Sequence, residues 1–272
     1  MGWRTTAMSR VLSVLAVALA TVASTPQRTS AAQTSELMKA IEANDVRWVR
    51  AVIAAGANVK NDVRPLREAV IYGYLPIARA LIDGGAEVNG RGYPLNAAAR
   101  AGQTETVASL IQRGADVNAR DLTGYTPLIE AVLSPNGVEV AKVLLAANAD
   151  PYAESGSDAC GGNALHWAAY QGNPAMAELL LAVGMDIDLH TGVEASYPGY
   201  TPLHFAARFN QFAMVAYLVE HGAAINMRDK HGATPLSVAS NPRVRAYLVA
   251  AGGKEPQQQL SGEPSACGEG AP

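Results

Sequence analysis

Apolar residues recur along this chain in short bursts at three- and four-residue steps, such as Val107, Leu110 and Ile111, or Met214, Val215, Leu218 and Val219. That spacing puts them on one face of a helix. The bursts come in pairs, and the first of each pair opens on a repeated signal: RPLREAV, YPLNAAA, TPLIEAV, NALHWAA, TPLHFAA and TPLSVAS. Aligned, these place Pro65, Pro94, Pro127, Ala164, Pro202 and Pro235 in one slot. Helix-ending pairs follow 20 residues later at Gly85-Ala86, Gly114-Ala115, Gly184-Met185 and Gly222-Ala223, and 21 later at Asn148-Ala149. Gly56-Ala57 closes an earlier unit that lacks its own Pro-Leu.

Each unit is predicted to be two short helices. Proline suits a first helical turn, where its missing N–H would be unpaired anyway, and a preceding threonine caps the orphan donors. Gly73, Gly102 and Gly172, with Asn210 in the same role, sit where the first helix must turn into the second with positive φ. An extended segment of the AxVN type then leaves the pair as a strand or finger.

These segments resemble the ankyrin repeat, whose pattern GxTPLHxAAxxG…LLLxxGADVNAxD is nearly complete at residues 199–229 and 124–150. The resemblance covers about residues 35–253 and implies an all-α solenoid of about seven helix-turn-helix units with projecting β-hairpin fingers. Such units bury their apolar faces only against neighbours, so the end units need polar outer sides. Glu42, Asp45, Arg47 and Arg50 suit the first unit, and the shortened turn at 240–242 with Arg243 and Arg245 suits the last. The resemblance also implies that His166 and His204, in the TPLH-type slot, hydrogen-bond between adjacent repeats.

Departures from the repeat are local. The connections from one helix end to the next Pro slot run 9, 9, 13, 16, 18 and 13 residues. The first two fingers are therefore expected to be clipped by four residues. The fourth and fifth connections carry the insertions PYAESGSDACGG (151–162) and DLHTGVEASYPG (188–199). Insertions map to one edge of a solenoid, and loops carry function more often than framework does.

Composition adds a class and an address. With 49% hydrophobic and 17% charged residues the chain can bury a sizeable core, while 6% aromatics favours close packing of small helices. Arg4 and Arg10 precede the apolar run VLSVLAVALATV (11–22) and small residues around 30–33. Twelve such residues are too few for a membrane span of roughly 20, which points to a secretory signal peptide at 1–32. Cleavage after Ala20, Ala23 or Ala32 fits; the last removes three arginines and no acid, moving the net charge from −3 to 18 − 24 = −6. A mildly acidic mature chain without a membrane span argues against nucleic acid as partner. Residues 33–253 are then the repeat domain. Residues 254–272, rich in Gly, Pro, Gln and Ser, read as a flexible tail.

Chemistry is sparse. There is no HExxH, GxSxG, GxxxxGK[ST] or GxGxxG, and no cysteine set at zinc spacing, so no enzymatic role, metal or cofactor is expected. Asp186, Asp188 and His190 alternate as D-x-D-x-H, yet the first two coincide with the repeat's own finger positions. The two cysteines, Cys160 and Cys267, form either a disulfide or free thiols in an oxidising compartment.

The positive signal lies six and seven residues after each Pro slot, positions that line up along the inner face of an ankyrin stack. Tyr72, Arg100, Tyr170, Arg208 and Phe209 occur there, and Tyr and Arg are the types that carry interface energy. Phe212 and the finger tyrosines Tyr125, Tyr152, Tyr197 and Tyr200 would extend that surface. For Phe209 two readings stand open: a surface anchor, or cladding over Tyr170 of the neighbouring repeat.

The expectation is an exported, periplasmic or secreted protein, monomeric alone, that binds another protein through its concave groove and the fingers of repeats four to six. Ankyrin proteins of this size with a signal peptide resemble bacterial periplasmic members of the family, which implies service to an exported enzyme as inhibitor, immunity protein or protective accessory factor. Two alternatives are a secreted host-directed effector and a redox-responsive module using Cys160 and Cys267.

Overall fold

A first helix that opens on proline in five units, a tight inter-helix turn and an apolar second helix recur along the chain, and the fold repeats with them. The computed structural model describes residues 30–156, 161–192 and 195–256. Within these lie seven helix pairs: α1 (Ser30–Glu42) and α2 (Val46–Ala54), α3 (Arg64–Ile71) and α4 (Leu75–Asp83), α5 (Pro94–Arg100) and α6 (Thr104–Gln112), and α7 (Pro127–Val132) and α8 (Gly137–Ala146). There follow α9 (Ala164–Gln171) and α10 (Pro174–Ala182), α11 (Pro202–Arg208) and α12 (Phe212–Glu220), and α13 (Pro235–Val238) and α14 (Pro242–Ala250). First helices pack on first helices in one row and second helices on second helices in another. The core is thus a ribbon between two layers.

The leucine after each Pro slot forms the spine of that ribbon. Leu66, Leu95, Leu128, Leu165, Leu203 and Leu236 are all buried, each stabilising the stack by roughly 1.5–3 kcal/mol. Alanines at the fifth and sixth positions of the first helices, such as Ala168, Ala169, Ala206 and Ala207, are buried too and let neighbouring helices approach closely.

Helix starts follow the length of the preceding connection. After the longer connections Thr126, Thr201 and Thr234 are extended N-caps whose side chains accept a backbone N–H, and Asn163 does the same where proline is missing. The two clipped connections end differently: Val63 is helical and Tyr93 left-handed (φ 45°), and neither side chain caps. Asn210 turns α11 into α12 at φ 62°. The extra residue of unit four is absorbed just before Gly137, where a Cβ would sit 1.6 Å from the Ala131 carbonyl oxygen.

The fingers are turns braced side to side, and no strand ladder occurs among the described residues. The full-length fingers are closed by isolated backbone bonds, such as Asp121 N–H to Tyr125 O (3.0 Å) and Asp229 N–H to Ala233 O (2.9 Å). Side chains then tie neighbours together. Asn89 donates to Gly114 O (2.9 Å), Asn118 accepts from Asp150 N–H (2.8 Å), and Asp188 accepts from Ala224 N–H (2.9 Å). Asn226 donates to Gly252 O (3.0 Å) and accepts from Lys254 N–H (2.7 Å), so residues 252–254 close the last finger.

At the C-terminal end, α13 is a single turn. Arg245 makes up the loss by donating to the carbonyls of Leu236 (2.8 Å) and Ala239 (3.1 Å), a cation placed where a helix C-terminus wants one. Arg243 lies 3.8 Å over the Phe212 ring. At the other end α1 begins at Ser30, upstream of the expected domain start at 33, and Gln33 bonds Ala55 O (2.9 Å). The apolar run at 11–22, most of the expected tail, Cys160 and Cys267 lie outside the described residues. No helix among the described residues is long and apolar enough to cross a membrane.

Candidate functional site

The groove between the first-helix row and the fingers changes character along its length. One slot shows it: three residues after the Pro position stand Glu68, Ala97 and Glu130 in units two to four, then Trp167 and Phe205 in units five and six.

In units five and six the described parts of the insertions pack against these aromatics. Ser155, buried in the first insertion, accepts from Trp167 Nε1–H (3.2 Å) and donates to Gly162 O (3.1 Å). The second insertion is pinned by Thr191, whose N–H donates to Tyr200 O (2.9 Å) and whose hydroxyl oxygen accepts from Tyr200 N–H (3.0 Å). Tyr197 and Tyr200 thereby pack edge-on against Phe205, each with centroids 5.7 Å apart. Both tyrosines are only 1% exposed. The expectation that they extend a binding surface is therefore corrected: they are core residues, because the hydrogen bonds to Thr191 hold this part of the insertion against its own helix.

Phe209 belongs to the same cluster. It is half-buried, 4.5 Å from Tyr170 and 6.1 Å from Tyr197 and Phe205 between centroids. The contacts are those of cladding. Arg208 is half-buried as well, its guanidinium 5.2 Å over Tyr197. Phe212 meets Tyr247 at 5.6 Å and Tyr125 meets Trp167 at 5.4 Å. Tyr152 stays 47% exposed while its hydroxyl donates to Gly184 O (3.0 Å).

His166 and His204 do what the ankyrin resemblance implies. His204 Nδ1 accepts from Thr201 N–H (3.2 Å), leaving the Nε2 proton for Ala233 O (3.1 Å) in the next unit. His166 Nε2 lies 2.9 Å from Leu189 O and 3.1 Å from Tyr200 O, both acceptors. Burial depresses each imidazole to about 4, so both are neutral near pH 7. The D-x-D-x-H triplet is also framework: Asp186 accepts from Asp188 N–H (2.9 Å), and His190 Nδ1 lies 3.1 Å from Gly199 O.

Units two to four are open by contrast. Ile71 and Tyr72 are 42% and 55% exposed, with Tyr72 stacked on Tyr74 at 5.5 Å. Beside them Arg100 reaches Glu130 at 3.0 Å. Glu130 is buried, and burial pushes its carboxyl up to about 7, with Arg100 pulling it down and Asp121 adding to the rise. Asn96 occupies the histidine slot of unit three and makes the equivalent bonds, donating to Tyr125 O (2.9 Å) and Ala119 O (3.3 Å). Its Oδ1 has no partner, since the left-handed Tyr93 offers no capping hydroxyl where unit six has Thr201. Glu130, Asp121 and Asn96 were not among the expected site residues. The signal that could have found them is the glutamate in TPLIEAV, in a slot that is aromatic two units further on.

The repeat length, the TPLH histidine bonds and the tied fingers find their match in a family model described as ankyrin repeats, which covers residues 89–155 and 165–259. The chain belongs to the ankyrin-repeat family. A second ankyrin model covers residues 133–181. Among curated proteins, ankyrin repeat and SOCS box protein 6 of Pongo abelii is 44% identical over 70 residues, 24% of this chain and 17% of that protein. Putative ankyrin repeat protein FPV230 of fowlpox virus is 44% identical over 50 residues, 18% and 27% of the two chains. Putative palmitoyltransferase ZDHHC13 of Danio rerio is 37% identical over 76 residues, 28% of this chain but 11% of that protein. The matched stretches span only about a tenth to a quarter of these relatives, so the likeness is one of repeats. Ankyrin repeats are protein-interaction modules as a family, and a protein partner is the class of ligand this membership supports.

Proposed function

We propose that this ankyrin protein is an exported binding protein, without catalysis of its own, that holds a partner protein in the open groove of units two to four. One observation carries the reading: Ile71 and Tyr72 stand exposed there, whereas at the matching positions of units five and six Tyr170, Arg208 and Phe209 are half-buried, the last two against Tyr197 of the second insertion. Exposed aromatic and aliphatic side chains next to arginine are the types that supply binding energy when a partner desolvates them. Tyr72 and Arg100 thus remain proposed contacts, with Tyr152 at the finger edge, and the weight moves away from Phe209. Export is supported by Arg4, Arg10 and the apolar run at 11–22, and an exported enzyme is the partner class this setting favours.

The test is comparative capture from the exported fraction of the source organism. Residues 30–272 serve as bait beside Ile71→Asp/Tyr72→Ala and Phe209→Ala, each first shown to keep its helical circular dichroism. A protein retained by the native and Phe209→Ala baits but lost with the double variant is the expected result. Retention by all three overturns the proposed groove, and recovery of the chain only from the cytoplasm overturns export.

A further inference from the structure

Where units two, three and four meet, the open groove deepens into a cavity of about 370 Å³. Ile71, Ala97 and Ala101 give it an apolar wall. Asp121 and Glu130 add two carboxyl groups within hydrogen-bonding reach of each other. Asn96, 3% exposed, lines the same cavity and has an acceptor oxygen with no donor. Tyr93, another lining residue, holds a left-handed backbone conformation that side chains adopt only at a cost, and such strain clusters at working sites. A small apolar wall beside an acceptor-rich patch is the complement of a long aliphatic stem with a cationic end.

We propose that this cavity is an anchor pocket for an arginine side chain presented by the partner protein, its stem along Ile71 and Ala97 and its guanidinium on Asp121 and Glu130. The inference rests on the groove reading above. Charge supports it. The lining carries Arg67 and Arg100 against Asp121 and Glu130, but Arg100 is bonded to Glu130 and Arg67, 52% exposed, is drawn toward Glu68 at 3.7 Å, which leaves Asp121 without a guanidinium of its own in the cavity. A partner carboxylate would add a third acid and leave Asn96 without a donor. Arginine is preferred to lysine because its planar fork spans two carboxyl groups at once.

The site is also linked to protons. The titratable groups facing Glu130 are Arg100, Asp121 and Tyr125, and burial dominates them, holding its carboxyl near 7. An incoming guanidinium favours the ionised form, so binding expels a proton and strengthens as pH rises from 6 to 8.

The test uses the 30–272 chain and N-acetyl-L-arginine amide as probe, followed by amide NMR. Saturable shifts at Asn96, Ala97 and Glu130 are expected at roughly millimolar probe, as suits a single small anchor. Affinity should rise about tenfold between pH 6 and pH 8, as ionisation of a group titrating near 7 requires. The uncharged citrulline analogue should give no saturable shift. Glu130→Gln should weaken the probe at least about fivefold at pH 8, and Ala101→Trp, at an exposed position on the pocket wall, should block it by bulk. Absence of saturable shifts overturns the pocket, as does equal binding of the citrulline analogue or tighter binding of N-acetylglycine. Tighter binding of N-acetyl-lysine amide overturns the arginine assignment. No partner takes part, so failure here leaves capture by Ile71 and Tyr72 to stand or fall alone. Capture by all three baits alike with the probe still bound would sink the groove reading instead.

Discussion

Units four and six carry the same helix pair, yet place opposite chemistry in one slot: Glu130 in the first and Phe205 in the second. Phe205 is 1% exposed beneath Tyr197 and Tyr200, contributed by an 18-residue connection. Glu130 is buried but bonded to Arg100, after a 13-residue connection that brings Asp121 to it. Trp167 repeats the first pattern, with a 16-residue connection supplying Ser155. Within one chain, then, the long insertions accompany large apolar side chains that need a lid, and the short connections accompany small or charged ones that leave the groove open. The insertions are stabilising cover, and the function proposed here belongs to the half that lacks them.

The comparison breaks most readily at Phe205. Phe205→Ala removes the ring on which both insertion tyrosines rest, and buried Phe→Ala changes cost about 3–5 kcal/mol. Urea unfolding should show that loss, with the 188–199 segment becoming the first site of limited proteolysis. A loss below about 1 kcal/mol would mean that the insertion does not depend on its helix.

Acid sharpens the same contrast. The imidazoles of His166 and His204 are depressed from 6.5 to about 4, so their contribution is full above pH 6.5 and is lost as pH falls toward 4. The shift amounts to on the order of 3 kcal/mol for each at the acid end. Their counterparts Arg67, Asn96 and Ile129 have no charge to gain in that window. Hydrogen exchange at pH 5 against pH 7 should therefore show protection failing first in units five and six. Asn96 already makes the equivalent bonds with an amide, so His204→Asn should keep the Ala233 contact while moving the acid midpoint down. An unchanged midpoint would remove His204 as its cause.

These residues also mark how far the sequence could be read. The seven units follow from spacing, because a repeat averages local signals over many copies, and the roles of His166 and His204 follow from the ankyrin resemblance. Arg243 and Arg245 were legible as features of the last unit, though their duties on Phe212 and on the end of α13 were not. What failed was the direction of two tyrosines. Tyr197 and Tyr200 lie in an insertion that occurs once, where no periodicity fixes which side faces the core. The Glu130 cavity was missed for a related reason: its residues come from three units and two fingers, and only the fold brings Asp121 to Glu130.

The finest test is a pair of aromatic truncations that should part company. Phe209 is half-buried against Tyr170, so Phe209→Ala should cost about 1–3 kcal/mol of stability and leave partner capture intact. Tyr72 is 55% exposed and stacks only on Tyr74 among the aromatic contacts of the described residues. Tyr72→Ala should therefore change stability by no more than about 0.5 kcal/mol, as surface substitutions do. Its effect should surface in binding, where loss of a central anchor costs about 2 kcal/mol or more, roughly a thirtyfold fall in affinity. Titration of the captured partner against both variants decides the matter. If Phe209→Ala weakens binding while Tyr72→Ala does not, the aromatic half is the interface after all, and the insertions shape a surface they only seemed to close.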